Sequence, residues 1–264
     1  AHDWYKKKRF RDDSIEISFT KNQELNALPS NFDKTKNNIL ILNSSEDEMK
    51  VIEEFHTDLF NTQNEAINRL VSNFEGDSDT HFYLRIHPNL GKVKNVQTEE
   101  IEQMRFKNLT IIGAHESIDT YAIMDACDKS IVFGSTTGIE ATYWGKTSIL
   151  LGKSFYYYLG DTCYKPSSYE ELFGLISTKD LPPKSQEACL PYGYYFSTYG
   201  IKTKYFDFDG LNNSTFKSKR IRKWNLMTVK YLFKYSTNIS KWFVAYKALI
   251  GKRLNLKDIF RFKY

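Results

Sequence analysis

Five short apolar runs between positions 38 and 152 end in small polar residues and are separated by stretches of helical periodicity. This alternation predicts a parallel sheet with helices on both faces, because parallel strands need long crossovers and helices are the usual crossover. The runs are 38–42, 81–86, 108–112, 131–133 and 148–151, and the helical stretches are 62–74, 98–104, 117–125, 139–144 and 169–176. The fourth run is the most informative. Ile131-Val132-Phe133 breaks into Gly134-Ser135-Thr136-Thr137-Gly138, and a helix headed by Ile139 and Glu140 follows. Unpaired backbone N–H groups, the positive end of a helix dipole and three hydroxyls then meet in one place, which suits a phosphate or carboxylate. The same residues also read as ordinary helix caps.

The other strand ends supply further candidates. Asn43-Ser44-Ser45 after the first run resembles the opening βα turn of a nucleotide-binding sheet, with Ser44 as a ribose or base contact, and reads equally as a plain turn. His87-Pro88-Asn89 closes the second run. Proline pushes His87 towards extended geometry and cannot continue a ladder, so the imidazole is held at the carboxyl edge of the sheet, where ligands bind. Arg85, two residues earlier, shares a strand face with His87 and is a candidate second ligand for the same anion. His115 follows the third run and is read either as a nucleobase or ribose contact or as a helix cap. The aromatic run at 155–158 is expected to pack mostly on the core, with base stacking open to one ring.

The chain has 264 residues, 41% of them hydrophobic, enough for one large domain with appendages. No run of about eighteen uncharged apolar residues is present to span a bilayer. Cys127, Cys163 and Cys189 are odd in number, widely spaced and outside any CxxC or Cys/His cluster, which argues against a disulfide framework and structural zinc and favours a reducing cytoplasm. Residues 1–36 are polar without sustained period, apart from a candidate strand at 15–19. They read as a linker or the end of a preceding domain, as if the chain were part of a longer protein. Residues 179–214, rich in Pro, Tyr, Gly and Ser, read as irregular.

The net charge of +5 hides an asymmetry. Residues 216–264 hold fourteen Lys or Arg against Asp258 alone, a net +13, so residues 1–215 carry −8. Interleaved with Trp224, Trp242 and other apolar residues at three- and four-residue intervals, these cations predict a basic amphipathic helical tail over 215–264. An anionic membrane surface is the expected partner in preference to nucleic acid, with a simple solvated face as the plain alternative.

Arg85-Ile86-His87-Pro88 and Gly134-Ser135-Thr136-Thr137-Gly138-Ile139-Glu140-Ala141, in this order on alternating strands, resemble the bacterial capsule and O-antigen glycosyltransferases of GT-B type. The likeness covers about 38–178 and continues through 120–126, Trp144-Gly145-Lys146 and 149–152. Similar pairs of motifs occur in bacterial sialyltransferases, capsule-type Kdo transferases and teichoic-acid glycerophosphotransferases, which use cytidine-activated donors. The resemblance implies that 37–214 is the Rossmann-like, donor-binding C-terminal half of such an enzyme, on the cytoplasmic face of the bacterial membrane, with a nucleotide-sugar donor and a glycan or glycolipid acceptor.

By the same likeness, His87 would be the catalytic group that stabilises or protonates the leaving nucleotide. Arg85, His87, Ser135, Thr136, Thr137 and Gly138 would bind the donor phosphate. Glu140, His115 and Ser44 would contact ribose or base. No cofactor and no metal are expected, and the acceptor-side base would come from an N-terminal domain that the chain is expected to lack, so isolated it should bind nucleotide and turn over poorly. The alternatives are a UDP-sugar transferase or UDP-sugar 2-epimerase, a CDP-glycerol-type glycerophosphotransferase, and a non-catalytic membrane-associated scaffold.

Overall fold

The computed structural model describes residues 1–12, 18–47, 52–200, 204–208 and 214–220. They divide into two units, Ala1–Gly200 and Ile201–Tyr264. In the first, β1 (Asn37–Leu42), β2 (Thr80–Arg85), β3 (Leu109–Ile112), β4 (Lys129–Val132) and β5 (Thr147–Leu150) form one parallel sheet in the order β3-β2-β1-β4-β5. The chain winds outward from β1 through β2 to β3, then returns to the other side of β1 as β4. The carboxyl ends of β1 and β4 therefore flank the topological switch point, where open α/β sheets bind their ligands.

Strand alternation builds two cores. Ile39, Ile41, Phe82, Leu84, Ile131 and Ile149 face α2 (Gln63–Asn73), α3 (Val96–Gln103) and α6 (Tyr169–Ser177). Leu40, Leu42, Tyr83, Val132 and Leu150 face the opposite way, towards α1 (His2–Arg9), α4 (Thr120–Ala126), α5 (Thr137–Tyr143) and α7 (Gln186–Thr198). Each such side chain taken fully out of water contributes about 1.5–3 kcal/mol. Helix starts follow ordinary capping chemistry. Thr62, Ser168 and Ser185 accept an N–H from the first turns of α2, α6 and α7, Asn95 and Thr98 form a capping box on α3, and Asp119 accepts two N–H groups of α4.

Three stretches depart from the sequence reading. In the segment expected as a linker or the end of a preceding domain, α1 buries Trp4 and Tyr5 against the sheet unit. The Tyr5 ring stacks on Tyr143 at 3.8 Å and its hydroxyl donates to the Cys189 carbonyl at 2.6 Å. Within the supposedly irregular 179–214, α7 runs for thirteen residues with Pro191 inside it. Burial of Cys189 and Tyr192 beside Trp4 offsets the hydrogen bond that the proline cannot make.

The second unit contains β6 (Phe206–Phe208), β7 (Ser214–Phe216) and β8 (Lys219–Arg220) in an antiparallel sheet, so the tail expected to be helical from 215 begins as strand. The rest of that tail, 221–264, and most of the candidate strand at 15–19 lie outside the described residues. Among the described residues no helix is long and apolar enough to cross a membrane. All three cysteines are free and buried, and burial pushes each thiol above its ordinary pKa.

Candidate active site at the carboxyl edge of the sheet

His87 leaves β2 with extended backbone angles and starts a short 3-10 turn, Pro88–Lys92. Its N–H donates to Asn43 Oδ1 at 2.7 Å, tying the end of β2 to the end of β1. Its Nδ1 accepts the Asn89 N–H at 3.2 Å, which places the proton of the neutral ring on Nε2. The imidazole is half-buried, with the Phe19 ring 5.3 Å away.

The hydroxyl loop stands on the far side of β1. Ser135 Oγ and Thr137 Oγ1 lie 2.6 Å apart and are half-exposed, and the Thr137 N–H points at Ser135 Oγ. Two hydroxyls sharing one hydrogen bond retain one O–H to donate elsewhere. Tyr156 buttresses the loop from below, donating to the Ser135 carbonyl at 2.6 Å. Gly138 admits this packing, since a Cβ there would fall 2.5 Å from both the Tyr156 hydroxyl and Val132 Cγ2. The Gly138 N–H is spent on the Ser135 carbonyl, and Thr136, the N-cap, makes no side-chain cap bond. The hydroxyls, more than a row of open amides, are what this loop offers a ligand. Because β2 and β4 both neighbour β1, His87 and this loop stand about 10 Å apart, two strand spacings.

Two expected ligands are placed differently. Arg85 is only 3% exposed. Its Nη2 donates to the Glu116 carbonyl at 3.0 Å, so the guanidinium lies under the loop after β3, away from the open edge. Its Nε and Nη1 have no acceptor, and burial lowers its pKa. Glu140, expected at the ribose, is 1% exposed. Tyr121 donates to its Oε2 at 2.5 Å, Thr136 to its Oε1 at 2.9 Å, and Lys8 Nζ is 4.0 Å from Oε1. One helical turn past the loop, the side chain turns inward towards α1 and α4. There it anchors Thr136, which is thereby withdrawn from phosphate binding, and together with burial it holds the Tyr121 phenol well above its usual pKa.

The remaining candidates lie at the edge. His115 is exposed, and its ring rests on Gly91 in the turn after His87, where a Cβ would fall 2.4 Å from Nε2. Asp119, rather than His115, caps α4. Ser44 is nearly buried, its N–H on Gln63 Oε1 and its carbonyl taking Gln97 Nε2. Of the aromatic run, Tyr156 is buried while Phe155 and Tyr158 are exposed. Among the described residues no group of three or more His, Cys, Asp or Glu is placed to hold a metal.

The sequence matches the model of the capsule polysaccharide biosynthesis protein family over residues 5–169. The chain belongs to that family. The match includes the His87 turn, the hydroxyl loop and most of α1, so the helix in the apparent linker is part of the family unit. Among solved structures, this capsule-synthesis protein is similar to Thermosulfurimonas dismutans KpsC, a beta Kdo 2,4 transferase, at 16% identity and TM-score 0.43, over 64% of this chain and 48% of that one. It is also similar to the wall teichoic acid polymerase TagF, at 13% identity and TM-score 0.37 over 74% and 42% of the two chains. The glycosyltransferase SnogD from Streptomyces nogalater gives 16% and 0.34 over 65% and 42%. The capsule-synthesis protein spans less than half the length of each. No curated protein sequence matches it significantly.

Residues that the sequence reading overlooks include Tyr156 as the loop's support and Lys8 and Tyr121 as partners of Glu140. Only the order of aromatic and hydroxyl residues hinted at the first. An inward Glu140 makes a specific prediction: Glu140→Gln sets an amide N–H against one of the two donors, Tyr121 or Thr136, while the amide oxygen keeps the other, lowering Tm by about 2–8 °C for a loss of about 1–2 kcal/mol. CMP affinity should stay within about threefold, as read by thermal unfolding and calorimetry. A large affinity loss without destabilisation would restore the ribose role.

Proposed function

We propose that the chain is the donor-binding half of a glycosyltransferase that moves a sugar from a nucleotide-activated donor to a growing capsular or lipopolysaccharide glycan. The observation that carries this reading is the placement of His87 and the Ser135/Thr137 hydroxyls on either side of β1 at the switch point, in a member of the capsule polysaccharide biosynthesis family. As the bond from sugar to phosphate breaks, negative charge grows on the departing nucleotide. The His87 N–H and the spare hydroxyl proton are the groups set to receive that charge. The donor is a CMP-linked sugar of Kdo or sialic-acid type. Support for cytidine is the likeness of the 85–88 and 134–141 motifs to transferases with such donors. Imidazole and hydroxyls meet the phosphate in this scheme without a metal or cofactor.

Calorimetric titration of the 264-residue chain with CMP, CDP and UDP tests the reading. Tighter binding of the cytidine nucleotides is expected. Tighter UDP binding would replace the donor class, and no nucleotide binding would contradict the reading. The +13 segment 216–264 is proposed to hold the protein on the anionic, cytoplasmic face of the bacterial membrane. Co-sedimentation with phosphatidylserine vesicles should be strong at low salt and fade as salt rises, and no binding at low salt would refute it.

A further inference from the structure

Two aromatic rings stand out from the protein where the chain turns after β5. Phe155 is 72% exposed and Tyr158 is 82% exposed. Between them Tyr156 is buried, and its hydroxyl donates to the Ser135 carbonyl at 2.6 Å, so the segment lies against the hydroxyl loop. The backbone makes two overlapping turns, with the Tyr157 N–H on the Ser154 carbonyl at 2.9 Å and the Leu159 N–H on the Tyr156 carbonyl at 3.0 Å. Residues three apart share a side in chain coiled this way. Phe155 and Tyr158 therefore face outward together, while Tyr156 and the half-buried Leu159 hold the turn to the core.

Single exposed rings are common on protein surfaces, but two on one side of one turn make a patch. Both are held in place. Phe155 stands edge-on to Phe55 at 5.0 Å, and Tyr158 edge-on to Tyr157 at 5.2 Å. Lys153, half-buried, precedes the turn, and Lys165 reaches it from beyond, with Nζ 5.4 Å from the Tyr157 ring centre and donating to the Leu159 and Gly160 carbonyls at 3.0 and 3.2 Å. Asp161, the acidic residue nearest in sequence, is paired with Lys184 at 2.8 Å. Outward Phe and Tyr rings flanked by lysines suit a membrane–water interface, where rings sit at headgroup level and ammonium groups face anionic phosphates.

We infer that the 155–158 turn inserts Phe155 and Tyr158 into the interface of an anionic bilayer and so sets the edge of the sheet that carries the Ser135/Thr137 loop against the membrane surface. This rests on the proposed membrane location and deepens it. Attachment through the +13 segment alone is electrostatic and fades with salt, and stable anchoring takes a second, apolar signal beside a polybasic one. The two rings supply that signal. Tyr156, which lies between them in the turn and supports the Ser135 carbonyl, makes the path from the bilayer to the hydroxyl loop one residue long.

Sedimentation of the 264-residue chain with mixed phosphatidylcholine and phosphatidylserine vesicles, at low and high salt, tests this. Phe155→Ser combined with Tyr158→Ser should lower partition into the vesicles about tenfold and abolish the part that remains at high salt. CMP affinity and the circular dichroism spectrum should be unchanged, since both rings lie outside the buried cores. As a second readout, a nitrobenzoxadiazole label on Tyr158→Cys, in a chain whose three native cysteines are buried, should brighten and shift to the blue when vesicles are added. Vesicle binding that leaves this probe unchanged, or a double variant that binds vesicles as the unaltered chain does, would overturn the role of the turn and leave the basic segment as the anchor. No sedimentation of the unaltered chain at low salt would overturn both. A double variant that changes the oligomeric state without vesicles would assign the rings to a second copy of the chain and overturn the inference likewise.

Discussion

His87→Ala should weaken CMP binding about 10–100-fold, the equivalent of a lost hydrogen bond to a charged group at about 1.5–3 kcal/mol. The ring is half-buried on a turn, where its Nδ1 accepts the Asn89 N–H and the Phe19 ring lies 5.3 Å away. The backbone bond to Asn43 survives the substitution, so the strand end stays in place. Thermal unfolding should therefore move by only a few degrees while calorimetry registers the affinity loss. An unchanged CMP affinity would reduce His87 to a residue that shapes its own turn.

Tyr5→Ala should be the most damaging single change to stability. The side chain is fully buried, stacks flat on Tyr143 and donates to the Cys189 carbonyl, so one residue joins α1 to α5 and α7. Removing a buried aromatic ring costs about 3–5 kcal/mol, and in a domain of this size each kcal/mol moves Tm by about 2–4 °C. A fall of about 10 °C or more is expected in a thermal melt. A shift below 2 °C would make α1 an appendage, as the charge of its sequence suggests.

That helix marks where sequence reading stops. The five strands were legible because short apolar runs alternating with helical stretches admit few other folds, and the hydroxyl loop and His87 turn were legible because Gly, Ser, Thr and Pro break a strand visibly. Trp4 and Tyr5 sit among Lys6, Lys7, Lys8 and Arg9, and the surfaces that bury them lie on α5 and α7, more than 130 residues away. α7 was hidden for a related reason: Pro191 and Gly193 signal irregular chain, and only packing against α1 overrides them. The inward turns of Arg85 and Glu140 depend on the Glu116 carbonyl and on Tyr121 and Lys8, partners that no local pattern names.

The central claim is that His87 and the Ser135/Thr137 loop grip one phosphate from opposite sides of β1. A double-mutant cycle in CMP affinity, measured by calorimetry on the unaltered chain, His87→Ala, Ser135→Ala and the double variant, addresses it directly. Each single change should cost about tenfold or more, and the double should cost less than the product of the two by at least threefold, because a phosphate released on one side is held less well on the other. Strictly multiplicative losses, or a Ser135→Ala variant that binds CMP as the unaltered chain does, would contradict a shared phosphate.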